Sequence, residues 1–382
     1  MERPVTVLIV DDSALMRSLV SRIVESTPGL AVADKAMNGQ FALDKIASRD
    51  PDVIVLDVEM PVMNGIEFLK ERKKRGIEIP VIMLSSLTKN GARITMECLD
   101  LGASDFVAKP SGSESPDIGA IAPVLGNLLL VYGRKYQNKP GRKIRNDSDI
   151  SAYRSTAVPA YKTAPEAAFP PEKSRDPQQH GSVVPLRSPG PLEVIAIGIS
   201  TGGPNALRDV FKDIDPGLSQ PILVVQHMPA GFTDEFARSL NNICPLEVKE
   251  AADGDLLKSG RVLIAPGNFH ILVEQRALGT IVRVSDAPPR NGHRPSADVL
   301  FESVATVFQN RALGIIMTGM GKDGAAMLAE LRRQGSRTLG QDEKTSIVYG
   351  MPKVAFEMGG VEKQVSLSEM AKTINTMGRE FR

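Results

Sequence analysis

The sequence predicts an α/β protein made of two doubly wound parallel-sheet domains joined by a flexible linker. Three observations carry this reading. The 382 residues exceed what one hydrophobic core usually holds. Short apolar runs alternate with helical patterns from Val5 to about Tyr136 and again from Pro191 onward. Between them lies a stretch rich in Pro, Ser, Lys, Arg and Gln, with few large aliphatic residues, which reads as a disordered tether. The expected boundaries are 1–135, 136–190 and 191–382.

Composition narrows the function classes. Hydrophobic residues at 42% and charged residues at 24% are globular values, and a net charge of +1 gives no overall bias toward nucleic acid, membranes or acidic substrates. No apolar run approaches membrane-spanning length, and Met1 to Val10 enters a strand with no signal-peptide pattern. The expectation is a cytoplasmic protein without membrane insertion. Cys98 and Cys244 fall in different domains, form no metal-ligand spacing and read as reduced structural thiols.

In the first domain the strand candidates are Val5–Val10, Asp52–Leu56, Pro80–Leu84 and Asp105–Ala108. Leu15, Met16, Leu19, Val20, Ile23 and Val24 repeat at helical spacing and would cover one sheet face. Ile118, Ile121, Leu125, Leu128 and Leu129 would close the domain with a last helix. Asp11 and Asp12 follow the first strand, Asp57 the second of these runs, Ser85 the third and Lys109 the fourth. In a parallel sheet those ends share one edge. Three carboxylates there repel, and a hard cation with oxygen ligands relieves the repulsion; Mg²⁺ fits best. Asp57 can then attack a phosphoryl donor, with Lys109 and the Ser85 hydroxyl facing the phosphoryl oxygens. One strand-end Asp or Ser alone is equally well a helix cap; four matching strand ends together are not.

These residues resemble the response-regulator receiver domain, over residues 3 to 133. The resemblance implies a flavodoxin-like fold with strand order 2-1-3-4-5, with Asp57 as phospho-acceptor, Asp11 and Asp12 as metal-site acids, Ser85 as switch hydroxyl, Phe106 as rotating aromatic and Lys109 as the invariant lysine. It also implies a histidine kinase as phosphoryl donor.

The second domain opens on Val194-Ile-Ala-Ile-Gly-Ile-Ser-Thr-Gly-Gly-Pro204. Gly198, Ser200 and Gly202 form a G-x-S-x-G element between a strand and a helix, where flanking glycines allow a sharp turn that exposes the serine. A dinucleotide fingerprint would need glycine where Ser200 stands, and a third reading makes Ser200 or Thr201 a helix cap. A serine nucleophile needs a base. His180 lies in the linker; His227 follows the strand Pro221–Gln226 and is the first choice, while His270 and His293 are not excluded by position. Asp323 follows the strand Ala312–Met317 and its glycine-rich turn, where it serves either as the orienting acid or as a helix cap. Backbone N–H groups of Thr318–Gly321 can meet a tetrahedral oxyanion.

Gly198-Ile-Ser-Thr-Gly-Gly-Pro204, Gln226-His-Met-Pro229, Ile264-Ala-Pro-Gly267, His293-Arg-Pro-Ser296, Gly319-Met-Gly-Lys-Asp-Gly324 and Gly340-Gln-Asp-Glu-Lys-Thr-Ser346 are together similar to the chemotaxis protein-glutamate methylesterase family, CheB. The resemblance implies a Rossmann-like domain with Ser200 as nucleophile, His227 as base, Asp323 as orienting acid and the Met320 N–H as oxyanion donor. Thr201 and His293 match positions near the site, and Ile199 stands where relatives have smaller residues, an expected narrowing of the approach to Ser200. The implied reactions are hydrolysis of glutamyl methyl esters on chemoreceptors and deamidation of selected receptor glutamines, with no cofactor for either. Two alternatives stand beside it: a hydrolase of another ester or amide, and a phospho-switched adapter without catalysis.

Overall fold

The computed structural model describes residues 3–109, 118–140, 142 and 183–381. Most of the expected linker, and His180 with it, lies outside the described residues.

The first domain runs β1 (Val5–Val10), α1 (Ala14–Ser26), β2 (Leu30–Ala36), α2 (Gly39–Arg49), β3 (Val53–Asp57), α3 (Gly65–Lys74), β4 (Val81–Ser85), α4 (Lys89–Asp100), β5 (Asp105–Ala108) and α5 (Ile118–Gln137). Its sheet is parallel in the order β2-β1-β3-β4-β5. Helices lie on both faces, so β1, β3 and β4 are buried throughout and read as continuous apolar runs. Val5, Val7 and Ile9 pack with Val20, Val24, Leu125 and Leu129 of α1 and α5. Leu8 and Val10 pack on the opposite side with Leu43, Phe68 and Met96. The helices start where the sequence supplies a side-chain oxygen: Ser13, Asn38, Asn64 and Thr88 each accept a backbone N–H from the first turn. β2, implied by the expected strand order, has no apolar run that locates it in the sequence. It is an edge strand with Leu30, Ala33 and Ala36 buried and the residues between them half-buried or exposed, so it carries no unbroken apolar run.

The second domain runs β6 (Val194–Ile199), α6 (Gly203–Phe211), β7 (Ile222–Gln226), α7 (Phe232–Asn241), β8 (Glu247–Glu250), β9 (Arg261–Ile264), β10 (His270–Arg276), β11 (Gly279–Ser285), α8 (Ala297–Phe308), β12 (Ala312–Ile316), α9 (Ala325–Arg333), β13 (Arg337–Gln341), α10 (Met351–Glu357), β14 (Lys363–Val365) and α11 (Leu367–Glu380). Seven parallel strands take the order β14-β13-β12-β6-β7-β9-β8, and β10 and β11 form a separate antiparallel hairpin. From β6 the chain steps outward through β7, then returns to place β12 on the other side of β6. That reversal places the sheet's switch point at the carboxyl ends of β6, β7 and β12, where such sheets usually offer a crevice to a ligand. Gly198 lets α8 close over β6, since a Cβ there would stand 2.7 Å from that of Ala297.

The segment entering this domain is fastened before β6 begins. Leu186 N–H donates to Arg333 O at 2.7 Å, and Gly190 N–H to Asn310 O at 2.9 Å. No helix among the described residues is long and apolar enough to cross a membrane.

Candidate active site

Ser200 and His227 each stand one residue past a paired position, because β6 and β7 run in register with Ile199 opposite Gln226. The two are therefore neighbours across adjacent strand ends. His227 N–H donates to Ile199 O at 3.2 Å, and the Gln226 amide donates to Ser200 O at 3.0 Å. Ser200 N–H reaches in the other direction, to Thr318 O at 2.9 Å. The serine turn is thus tied to the loops after both flanking strands. Gly202 takes the left-handed φ of 74° that the turn requires.

His227 Nε2 lies 2.8 Å from Asp323 Oδ2, and both side chains are buried. That bond occupies Nε2. Nδ1 is buried without a hydrogen-bond partner among the described residues and is the ring nitrogen left to accept a proton. No hydrogen bond links Ser200 Oγ to His227 in this arrangement among the described residues.

Asp323 is surrounded by donors: Ser296 Oγ at 2.6 Å, Asn291 Nδ2 at 3.0 Å and the Ala297 N–H at 2.7 Å, besides His227. Burial opposes its charge, yet the hydrogen bonds from His227, Ser296 and Asn291 hold its carboxyl well below the usual carboxylate range. The group is an anion at any working pH, suited to orient a histidine and to face the imidazolium formed when that histidine takes a proton. The capping alternative for Asp323 does not describe this geometry: the N-cap of α9 is Gly324, with no side-chain cap bond.

His270 is removed as a base candidate. Its Nδ1 accepts from Ser296 N–H and its Nε2 faces Pro288 O, both at 3.2 Å, and burial lowers its pKa. His293 stacks on His227 with ring centroids 3.8 Å apart and planes 9° from parallel. Burial, and then the neighbouring His227 charge, push His293 down to about 4. Thr201 contributes its carbonyl to the Thr318 hydroxyl at 2.9 Å.

The Thr318–Gly321 turn is fixed through Gly319. Its N–H donates to Val348 O, and its carbonyl accepts from Gly350 and Met351 N–H. Met320 is outside these three bonds, and the residue is exposed. Ile199 corrects one expectation: it is fully buried and packs in the core beneath α6, so it does not narrow the approach to Ser200.

At the carboxyl edge of the other sheet, carboxylate oxygens of Asp11, Asp12 and Asp57 all lie within 4.8 Å of one another. Lys109 Nζ is 3.2 Å from Asp11 and 2.9 Å from Asp57. Burial pushes Asp57 up to about 6, with Lys109 countering and Asp11 adding to the rise. One ammonium cannot balance three carboxylates, and an all-oxygen donor set of this kind suits a hard divalent cation. Ser85 points elsewhere: its hydroxyl donates to Gly91 O at 3.2 Å and meets Thr95 Oγ1 at 2.5 Å.

The two sites are joined by a contact between domains. Phe106 stacks on Phe232 with centroids 4.8 Å apart, Asn205 Nδ2 donates to Ala103 O and Ser104 O at 3.0 Å, and Arg208 pairs with Asp100. Lys135 of α5 donates to Ser346 O at 3.1 Å. The face made by α4, β5 and α5 therefore sits on α6, α7 and the turn beside Ser200.

What sequence reading missed is the layer around Asp323: Asn291, Ser296 and Asp298. Only the Asn291-Gly292 dipeptide carried a local signal, that of a tight turn.

Two family models match the chain. Residues 195–374 match the CheB methylesterase family, and residues 7–115 match the response regulator receiver domain. A protein-glutamate methylesterase/protein-glutamine glutaminase of Treponema denticola is 58% identical over 99% of both chains. The protein of that name from Treponema pallidum is 52% identical over 99% of this chain and 98% of its own. The crystal structure of the Thermotoga maritima CheB methylesterase catalytic domain is 32% identical, covers 49% of this chain and 98% of that one, and superposes with a TM-score of 0.48.

Proposed function

The chain belongs to the protein-glutamate methylesterase/protein-glutamine glutaminase family, and from that premise we propose that it hydrolyses glutamyl methyl esters on chemoreceptors to glutamate and methanol, and deamidates selected receptor glutamines. The observation that carries the reading is the His227–Asp323 hydrogen bond at 2.8 Å beside the Ser200 turn, at the switch point of the sheet. Residues 1–135 are the receiver, 136–190 the linker and 191–382 the catalytic domain.

Ser200 Oγ attacks the side-chain ester carbonyl while His227 takes its proton. Nδ1 is the receiving atom, since Nε2 is bonded to Asp323. Asp323 keeps the Nε2–H tautomer and stabilises the imidazolium. The carbonyl oxygen becomes an oxyanion that meets the Met320 N–H, a donor worth about 3 kcal/mol. Collapse breaks the C–O bond, and the imidazolium proton leaves with methanol; ammonia leaves in the glutamine reaction. Water, deprotonated by the same nitrogen, then cleaves the acyl-enzyme. No cofactor takes part. Thr201 lines the approach.

Control comes from the receiver. Asp57 accepts a phosphoryl group from a histidine kinase, and Asp11, Asp12 and Asp57 would hold Mg²⁺, whose charge would offset that of the phosphoryl oxygens. Lys109 contributes its ammonium and Ser85 its hydroxyl. In the docked arrangement the receiver restricts access to Ser200. Phosphorylation turns Ser85 and Phe106 toward Asp57 and frees the catalytic domain. The Phe106–Phe232 stack supports this reading, because the aromatic that turns is the one held by α7. The protein works in the cytoplasm, on the receptors' cytoplasmic helices.

The test is methanol release from methylated receptor membranes, with and without a small phosphoryl donor. Release that is lost in Ser200→Ala, and whose stimulation is lost in Asp57→Ala, is expected. Release from generic esters but not from receptors would favour another hydrolase, and no release at all would favour the adapter.

A further inference from the structure

The four-residue turn Arg290–His293 touches the triad at two points, and the mechanism above uses neither. Arg290 and His293 exchange backbone hydrogen bonds of 3.1 and 3.0 Å. Between them Asn291 and Gly292 both have positive φ, 54° and 79°. These are the dihedral signs of a type I′ turn, for which Asn-Gly is the favoured pair, and they make a short, stiff support. From it the Asn291 amide donates to Asp298 Oδ2 at 2.6 Å and to Asp323 Oδ1 at 3.0 Å. Two residues on, the His293 ring lies flat against His227.

A hydrogen bond at one ring nitrogen fixes the edge of an imidazole but not its tilt about that bond. His227 has such a bond only at Nε2, since Nδ1 is free among the described residues. A parallel ring at 3.8 Å removes the remaining freedom. His293 suits the task because it is neutral near pH 7, so the imidazolium of His227 forms without a second cation against its face.

We infer that His293 is a positioning residue for His227, and that the Arg290–His293 turn sets the base through a ring face and the acid through the Asn291 amide. The inference rests on the reading of His227 as the base.

The test uses the full-length protein with a phosphoryl donor. In His293→Ala, kcat should fall about 10–100-fold while KM stays within about twofold, since the substrate is bound as before but the base is misaligned. In His293→Phe, which keeps a flat ring and has no nitrogen, kcat should return to within about threefold of wild type. Unchanged kcat in His293→Ala would overturn the inference. So would a His293→Phe variant that folds and is no more active than His293→Ala, because the nitrogens would then be what matters. If His293→Ala does not fold, His293→Phe decides alone, with near-wild-type kcat supporting the inference and a hundredfold loss overturning it. A second readout needs no substrate. In NMR relaxation spectra the His227 ring should be more mobile in His293→Ala than in wild type, with Asp323 holding the Nε2–H tautomer in both; equal ring mobility in the two would overturn the positioning role. Failure of the methylesterase reading would appear as absent methanol release in wild type and leave that spectral comparison intact.

Discussion

Asp105 of β5 accepts the Gly202 backbone N–H at 3.0 Å, so a receiver carboxyl is bonded to the turn two residues beyond Ser200. The carboxyl also receives the Tyr132 hydroxyl at 3.3 Å and is pushed up to about 6 by burial. It neighbours Phe106, and the two residues together connect the sheet that carries the Asp57 carboxylate cluster to the second domain beside the serine turn.

Asp105→Ala leaves the Gly202 N–H without an acceptor in the docked state, at a cost of about 1–3 kcal/mol. Methanol release without a phosphoryl donor should rise toward the stimulated rate. Asp105→Asn keeps an acceptor and carries no charge, so release should stay low. The sign of the pH effect follows from the raised value. The docked state gains most below the ordinary carboxyl value of 3.8 and loses that gain as pH rises through about 6. The basal rate of Asp105→Asn relative to wild type should therefore fall across pH 6; a constant ratio would show that Asp105 does not titrate on undocking.

Phe106→Ala removes the stack on Phe232. Such pairs contribute about 0.5–1.5 kcal/mol beyond their buried area, which predicts a basal rate about 2–10-fold higher. The stimulated rate should change less. Rates measured with and without phosphoryl donor give both values in one experiment.

At Gly319 a Cβ would stand 2.3 Å from Met351 Sδ and 2.8 Å from Ser200 Cβ. Gly319→Ala should therefore displace Ser200 or the turn that carries Met320. The expected loss is about 10²-fold in kcat, with a stability cost of about 1–3 kcal/mol on chemical unfolding. Full activity would mean that the turn adjusts without moving the serine.

Asp323→Asn should lower kcat by about 10⁴-fold, because asparagine does not select the Nε2–H tautomer. It should also change acid stability. A depressed carboxyl gives stability that is complete above its ordinary value of 3.8 and is lost as pH falls toward its folded value. Thermal unfolding between pH 6 and 2 should accordingly show a smaller decline for the variant than for wild type.

Much of this was legible because parallel strands buried on both faces have unbroken apolar runs. Val5–Val10, Val194–Ile199 and Ile222–Gln226 announce themselves, and reactive residues directly after them must share an edge. Asp57, Ser200 and His227 stand at strand ends legible in that way, Asp57 as the last residue of β3 and the other two just past β6 and β7. The β10–β11 hairpin was not, although its two strands pair from His270–Ser285 to Arg276–Gly279. Its burial is partial and its charged residues interrupt the apolar pattern. Ser296 and Asn291 were missed for another reason. They reach Asp323 across 27 and 32 residues of sequence, and only folding brings them together. Ile199 was misjudged because alternation along β6 turns its side chain to the core while its neighbour Ser200 reaches the crevice.

The aromatic stack between the domains also works in reverse. Coupling free energies are reciprocal: whatever factor phosphorylation contributes to opening the crevice, an occupant of the open crevice returns to the phosphorylated receiver. On the proposed function, a receptor helix held at Ser200 would keep Phe232 away from Phe106 and leave the aromatic free to turn inward. Densely methylated receptors would thus draw phosphoryl groups onto the enzyme molecules already engaged with them, and adaptation would be strongest where its substrate is most abundant.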